Sequence, residues 1–129
     1  MNTAVGIDLV AVDEVQTAIE HFGDRYLARV FTPHEIACAP GEGEARARHL
    51  ATRFAAKEAA AKALRSNDWL PAWRSIEVHQ DNNGWYSLRL SGRAAELARQ
   101  ACLNQFALSL SHEGNVAAAV VVAVGQVRS

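Results

Sequence analysis

The chain has 129 residues, of which 50% are hydrophobic, and a formal net charge of -1 at pH 7. This length supports one sizeable core and excludes two ordinary domains, so we predict a single domain over residues 1–129. The nearly neutral charge gives no chain-wide basic field, and we therefore expect no nucleic-acid partner. The two cysteines, Cys38 and Cys102, are far apart, and no secretory leader is recognisable. These features predict reduced thiols in a cytoplasmic protein.

The first part of the chain predicts one strand followed by helices. Residues 4–10, AVGIDLV, predict a short strand in which Asp8 interrupts apolar neighbours. A helix follows, because apolar residues recur at helical spacing up to the break at Gly23 (Val12, Val15, Ile19 and Phe22). The sequence TPHE at 32–35 combines an N-cap threonine, a proline suited to the first helical position and the glutamate of a capping box. It predicts the start of a further short helix.

The alanine-rich segment RFAAKEAAAKAL belongs to a long helix predicted from about residue 44 to 65. At 100° per residue its apolar side chains form one stripe, with Glu58 at the edge and therefore half buried (Leu50, Phe54, Ala61 and Leu64). The preceding residues 40–44, PGEGE, predict a loop. GEGEAR at 41–46 is reminiscent of a dinucleotide-binding loop, but Arg46 stands where the last glycine is needed, so we interpret it as an ordinary loop.

The second half of the chain predicts antiparallel strands and one helix. Residues 75–90 contain an Asn-Gly turn between two alternating runs, which predicts a hairpin. A helix is predicted over 92–104, and a strand over 106–112 pairs with the apolar run at 116–124. That run is too short for the roughly 20 residues of a membrane span, so we expect no membrane partner. The predicted fold class is α+β, with an antiparallel sheet packed on the long helix.

Asp8 is poorly suited to an apolar strand, because an ionised carboxylate is not desolvated cheaply without a partner. Two interpretations stay open: Asp8 caps the following helix, or it holds a cation. Glu58 and Lys62 likewise have two interpretations, a surface pair or part of a site. Two carboxylates suffice for magnesium when phosphates and waters complete its coordination. Phosphates would then meet nearby cations (Arg53, Lys57 and Lys62).

Three separated motifs carry a resemblance to a known family. GIDLV near the N-terminus, FAAKEAAAKAL on the long helix and LSLSHEGNVAAAVV near the C-terminus resemble the signature regions of holo-acyl-carrier-protein synthase, the small bacterial type of 4'-phosphopantetheinyl transferase. The resemblance implies a magnesium-dependent transfer of 4'-phosphopantetheine from coenzyme A to a serine of an apo acyl carrier protein or carrier domain. Adenosine 3',5'-bisphosphate would leave. It also implies a homotrimer with active sites between subunits.

The resemblance also implies roles for individual residues. Asp8 and Glu58 match the magnesium ligands, and Glu58 is also expected to accept the serine proton, directly or through water. The catalytic set is completed by Lys62 and His112. The coenzyme-binding set is expected on the long helix and the last motif (Arg53, Lys57, Lys62, Ser111 and His112).

This chain departs from the family's pattern at three places. Residues 65–73, RSNDWLPAW, replace a glycine-bearing turn near the nucleotide, and Tyr86 stands where the family usually has a proline. The first helix region is acidic, with basic residues only beyond it (Glu14, Glu20 and Asp24 against Arg25 and Arg29). The carrier, whether from fatty-acid synthesis, a polyketide assembly line or another pathway, is therefore not specified by the sequence.

A second hypothesis comes from another functional class. The protein would keep the same fold as a trimeric module that binds coenzyme A or a carrier domain without transferring anything. The residues Asp8, Glu58, Lys62 and His112 argue for the enzyme, since a scaffold has no need of two unpaired carboxylates.

Overall fold

A three-stranded antiparallel sheet is the largest β structure in the computed structural model, which describes residues 1–65 and 72–126. The central strand β5 (Val116–Gly125) pairs on one side with β1 (Asn2–Ala11) and on the other with β4 (Gln105–Glu113). A separate hairpin is formed by β2 (Ile76–Gln80) and β3 (Tyr86–Leu90). The predicted α+β class and both predicted antiparallel pairs are confirmed.

Five helices and one 3-10 turn, Trp73–Ser75, connect these strands in the described part of the chain. The helices are α1 (Val12–Phe22), α2 (Asp24–Val30), α3 (Pro33–Cys38), α4 (Gly43–Ala63) and α5 (Gly92–Gln100). The predicted capping box of α3 is present: the Glu35 amide donates to Thr32 Oγ1 (3.3 Å) and the Thr32 amide donates to Glu35 Oε1 (2.8 Å). Helix α2 was not predicted, because seven residues give little periodicity.

The helix predicted from about residue 44 to 65 is confirmed as α4 (Gly43–Ala63). The interpretation of 41–46 as a loop is wrong for residues 43–46, because α4 begins at Gly43, whose φ is 72°. The helix predicted over 92–104 ends at Gln100, and Cys102 has a φ of 58°, which a continuing helix does not allow. Both differences lie at helix ends, where intrinsic propensity is least decisive.

The buried side chains of α4 cover more of its circumference than one apolar stripe would, because the helix packs against β1, β5 and α1. Most of its alanines are buried (Ala47, Ala51, Ala55, Ala56, Ala59, Ala60 and Ala63). Phe54 and Ala61 are only partly buried, so the predicted apolar stripe is wrong in these two members. Small side chains let the helix axis approach the strands closely. The closest approach is at Gly6 of β1, where a Cβ would lie 1.8 Å from the carbonyl oxygen of Ala59. Alanine and glycine thus fix how α4 lies on β1.

No helix in residues 1–65 or 72–126 is long and apolar enough to cross a membrane. Most of the departing segment 65–73, including Trp69, lies outside the described residues. Of the other tryptophans, Trp73 packs edge-on against Phe54, with ring centroids 5.2 Å apart, and Trp85 is exposed at the β2–β3 turn.

Candidate active site

Three charged side chains meet where β1 lies across α4. Asp8 is on the same face of β1 as Gly6 and therefore points toward α4, which carries Glu58 and Lys62 one turn apart. Lys62 Nζ donates to Asp8 Oδ1 (2.8 Å) and to the carbonyl oxygen of Ile7 (2.9 Å). The structure thus brings together three residues that are far apart in sequence.

The two carboxyl groups of this cluster disturb each other. Burial raises the pKa of Glu58, and the neighbouring Asp8 carboxyl raises it further, to about 8. Burial also works to raise the pKa of Asp8, but the adjacent Glu58 and Lys62 together lower it below its usual value. Asp8 Oδ2 is buried and has no hydrogen-bond partner in the described part of the chain. At pH 7 Glu58 is therefore largely protonated and shares its proton with Asp8. Once that proton is released, the cluster holds more acceptor capacity and negative charge than its own donors satisfy.

A small, hard cation fits this arrangement. It would neutralise the repulsion between Asp8 and Glu58 and give the free Asp8 oxygen a partner. Within residues 1–65 and 72–126, no group of three or more His, Cys, Asp or Glu side chains could hold a metal alone. Two carboxylates with waters and substrate phosphates are a typical environment for magnesium.

A second site, which we call the arginine cavity, lies along the N-terminal half of α4. Its volume is about 500 Å³, and its lining includes Arg48, His49, Arg53, Tyr86, Ser111 and His112. Burial, with the positive charge of Arg53, lowers the pKa of His49 to about 4, so His49 is neutral at pH 7. The fixed positive charge of the cavity comes from Arg48 and Arg53. Two guanidinium groups in one cavity favour a phosphate ligand.

The Arg53 guanidinium is held on three sides. Its Nη2 donates to Gln80 Oε1 (3.0 Å), its Nη1 donates to Thr52 Oγ1 (3.0 Å), and its central carbon lies 5.0 Å from the ring centroid of Tyr86. The residue is only 5% exposed. A cation so deeply placed beside a polar cavity is arranged to meet an anion rather than solvent.

The carboxylate cluster and the arginine cavity lie toward opposite edges of the three-stranded sheet. Asp8 is paired with Ala119 of β5, which is paired with Leu110 of β4, next to Ser111 and His112. Two strand spacings separate these edges, roughly 10 Å. Within one chain, His112 is therefore not a neighbour of Asp8 and Glu58.

A third feature, which we call the α2 groove, has a volume of about 500 Å³ and is lined by Phe22, Arg25, Tyr26 and Arg29. Burial, together with the negative charge of Glu58, raises the pKa of Tyr26 to about 12. Tyr26 is thus within electrostatic reach of the carboxylate cluster. The groove is apolar and basic, and it lies beside the candidate active site.

Comparison with known families decides the relationship. A family model described as the 4'-phosphopantetheinyl transferase superfamily matches residues 4–121. The chain belongs to this superfamily. The predicted resemblance is therefore confirmed.

Similar proteins include the holo-[acyl-carrier-protein] synthases of Chloroflexus aurantiacus and Halorhodospira halophila. The first is 42% identical over 130 residues, covering 92% of this chain and 95% of the relative. The second is 43% identical over 126 residues, covering 96% and 98%.

Solved structures of phosphopantetheinyl transferases share this fold. The ACPS–CoA complex of Chronobacterium ammoniagenes has a TM-score of 0.83 and 32% identity, covering 98% of this chain and 99% of that one. The holo-[acyl-carrier-protein] synthase of Helicobacter pylori in complex with coenzyme A has a TM-score of 0.77 and 27% identity, covering 93% and 99%. The predicted fold family is confirmed.

One predicted coenzyme-binding residue of this transferase must be reassigned. The Lys57 side chain is fully buried and its Nζ lies 2.8 Å from Glu35 Oε1. Its other hydrogens go to the carbonyl oxygens of Trp73 (3.0 Å) and Ile76 (2.5 Å). With all three donors used inside the core, Lys57 is not available to a phosphate. The sequence indicated that the two lysines do not serve the same site, because Lys57 and Lys62 are 140° apart on the helix.

The sequence analysis missed two parts of the transferase site. Phe22, at the end of α1, was predicted only as an apolar helix position, and Tyr26 had no assigned role because α2 was not predicted. The contact of Tyr86 with Arg53 depends on how the β2–β3 hairpin lies against α4. Local periodicity carries no signal for such a contact.

Proposed function

We propose that this protein is a holo-[acyl-carrier-protein] synthase, one transferase domain spanning residues 1–129. It transfers 4'-phosphopantetheine from coenzyme A to a serine of an apo acyl carrier protein or carrier domain and releases adenosine 3',5'-bisphosphate. The observation that carries the proposal is the meeting of Asp8, Glu58 and Lys62 where β1 crosses α4. The relatives named holo-[acyl-carrier-protein] synthase and the coenzyme A complexes of similar structures support it.

Magnesium dependence is part of the proposal. Asp8 and Glu58 would hold the ion, as the unpartnered Asp8 Oδ2 and the crowded carboxyl groups indicate. When bound, magnesium supplies charge neutralisation for the pyrophosphate oxygens.

The chain's own residues then position and move the reacting groups. The serine hydroxyl attacks the phosphorus that bears the pantetheine arm, and the bond from that phosphorus to the oxygen of the departing bisphosphate breaks. Glu58 accepts the serine proton, directly or through a water. Lys62 places a positive charge beside the phosphates, at a position fixed by its bonds to Asp8 and Ile7. Catalysis of this kind rests on positioning and charge stabilisation.

The nucleotide end of coenzyme A fits the arginine cavity. Arg53 supplies a guanidinium, and Ser111 and His112 supply polar groups from the end of β4. Because this cavity and the carboxylate cluster lie toward opposite sheet edges, a site shared between neighbouring subunits is consistent with both. His112 would then act on the coenzyme of an adjacent carboxylate cluster.

The alternative, a module that binds without transferring, is separated from the enzyme by one experiment. The purified protein is incubated with coenzyme A, magnesium and a panel of apo carriers from fatty-acid and polyketide systems. We expect the mass spectrum of at least one carrier to increase by one 4'-phosphopantetheine. Binding of coenzyme A without any mass increase across the panel would support the module instead. The free cysteines Cys38 and Cys102 agree with the proposed cytoplasmic location.

The outer face of the sheet supports the proposed homotrimer. On the face of β1 away from α4, Val5, Ile7 and Leu9 are 64%, 64% and 66% exposed. A continuous row of large apolar side chains is unfavourable in water and typical of a subunit contact.

Light scattering should therefore give a mass of about 42 kDa, three chains of 14.0 kDa each. Ile7→Asp, which places a charge in the middle of the apolar row, should shift the mass toward that of a single chain. Thr17→Asp on the exposed surface of α1 is the matched control and should leave the mass unchanged. An active wild-type monomer at assay concentration would contradict the proposal.

Carrier recognition is proposed for the α2 groove and its surroundings. Arg25 and Arg29 give the groove a positive charge, whereas the exposed Glu14 and Glu20 on α1 would repel an acidic carrier. Glu14→Arg should lower the apparent Michaelis constant for a strongly acidic carrier by about twofold to fivefold at low salt, because complementary charge speeds encounter. The measurement is initial rate against carrier concentration at two ionic strengths.

A glutamate-to-arginine substitution far from the α2 groove changes the net charge by the same amount and provides the control. Glu96→Arg on α5 should leave carrier kinetics unchanged, and the gain from Glu14→Arg should shrink at high salt. Identical kinetics of Glu14→Arg and the wild type at low salt would place the carrier on another surface.

A further inference from the structure

Tyr86 forms the wall of the arginine cavity that lies against Arg53. It is the first residue of β3 and is directly paired with Gln80 of β2, whose side chain accepts from Arg53 Nη2. The two cross-strand neighbours therefore hold the same guanidinium, Gln80 by a hydrogen bond and Tyr86 through its ring face and a side-chain hydrogen bond. Tyr86 is 38% exposed, so its ring lines the cavity while it covers Arg53.

The chemistry of coenzyme A assigns a ligand to this guanidinium, and this step rests on the proposed function. Coenzyme A carries two phosphates in its pyrophosphate and a third on the ribose 3' oxygen. The reacting pyrophosphate belongs with Asp8, Glu58 and Lys62, so the arginine cavity is left for the 3'-phosphate. A guanidinium has five N–H donors; Thr52 and Gln80 accept two of those of Arg53, and the side chain of Tyr86 accepts a further one. The remaining donors are free to bind a phosphate.

We propose that Tyr86 is a positioning residue for the 3'-phosphate of coenzyme A: its ring fixes the plane of the Arg53 guanidinium. A planar cation held on a ring face and by hydrogen bonds has little orientational freedom left. Binding the phosphate then requires little further ordering. Tyr86 thereby sets how strongly the protein prefers a nucleotide that carries a 3'-phosphate.

The test compares adenosine 3',5'-bisphosphate with adenosine 5'-monophosphate, which lacks only the 3'-phosphate. In isothermal titration calorimetry, Tyr86→Leu should reduce the ratio of the two affinities by about threefold to tenfold, because the ring face is lost. Tyr86→Phe keeps the ring face and removes only the hydroxyl that accepts from Arg53, so it should retain most of the wild-type ratio. Trp85→Leu removes the adjacent exposed aromatic side chain and serves as the matched control, with no change in the ratio.

Steady-state kinetics give a second reading. Tyr86→Leu should raise the KM for coenzyme A with kcat unchanged, and it should leave the KM for 3'-dephospho-coenzyme A unchanged. In an Arg53→Lys background, Tyr86→Leu should have little additional effect, because the planar group on which the ring acts is gone.

Three outcomes would overturn the proposal. They are an equal loss of affinity for both nucleotides in Tyr86→Leu, an unchanged ratio in that variant, and a Tyr86→Phe variant that behaves like Tyr86→Leu. Failure of the proposed function is recognised separately, because wild-type protein that binds the bisphosphate but modifies no carrier refutes transfer and leaves the affinity ratio measurable. A wild-type protein that binds neither nucleotide overturns both.

Discussion

Asp8→Asn and Glu58→Gln should each reduce transfer by at least about a hundredfold, because a bound cation contributes several kcal/mol to such reactions. Both variants should remain folded oligomers, since each change replaces a carboxyl group by an amide of nearly the same size. The measurements are initial rates with coenzyme A and an apo carrier, and binding of manganese as a probe ion by isothermal titration. Both variants should bind manganese at least about tenfold more weakly than the wild type.

Two controls test whether the loss is specific to this cluster. Asp13→Asn removes an exposed carboxylate from α1, Glu96→Gln removes a partly exposed one from α5, and both should leave rate and metal binding unchanged. Removal of metal by a chelator should abolish wild-type activity, and added magnesium should restore it. Full activity of either site variant in metal-free buffer would refute the assignment of Asp8 and Glu58.

Lys57→Met should lower the free energy of unfolding by about 3–5 kcal/mol, because it leaves the Glu35 carboxylate buried without its cation. Both side chains are fully buried, and Glu35 also accepts from the Thr32 and Val78 amides. The pair thus joins α3, α4 and β2. Chemical denaturation at equal protein concentrations measures the effect, which must be compared at one concentration because oligomerisation contributes to stability.

The double variant Lys57→Met/Glu35→Gln shows whether the loss comes from the unpaired charge. It should be more stable than Lys57→Met alone, because no uncompensated carboxylate remains. Arg93→Met breaks the exposed pair with Glu96 and should change stability by less than about 1 kcal/mol. A stable Lys57→Met protein that has lost coenzyme A binding would instead return Lys57 to the ligand site.

Local sequence chemistry predicted most of the fold. The capping box at Thr32 and Glu35 and the Asn-Gly turn of the hairpin act over a few residues, so their structures follow from neighbours in sequence. The sequence could not predict α2, because it is short and stabilised by packing of Leu27 and Val30 in the core. It also could not show that α4 buries its own alanines on several sides, because this burial depends on which strands lie against the helix.

The candidate site was predictable where a residue conflicts with its surroundings. Asp8 in an apolar strand and Glu58 at the edge of an apolar helix face each required a partner, and the structure places them together. Lys57 was assigned wrongly, because its partner Glu35 belongs to a helix distant in sequence. A capping glutamate gives no sign that its carboxylate also binds a buried ammonium group.

The contact at Gly6 determines the geometry of the two carboxylates. Asp8 follows Gly6 by two residues on the same face of β1, and Glu58 precedes Ala59, whose carbonyl oxygen occupies the space of the missing Cβ. The separation of the two main chains that carry these carboxylates is therefore set by backbone atoms in contact, and only the side chains of Asp8 and Glu58 themselves can adjust. A side chain at position 6 would push β1 away from α4 and so separate Asp8 from Glu58 at the proposed metal site. Any attempt to transplant this carboxylate pair onto another scaffold would have to copy the glycine along with the acids.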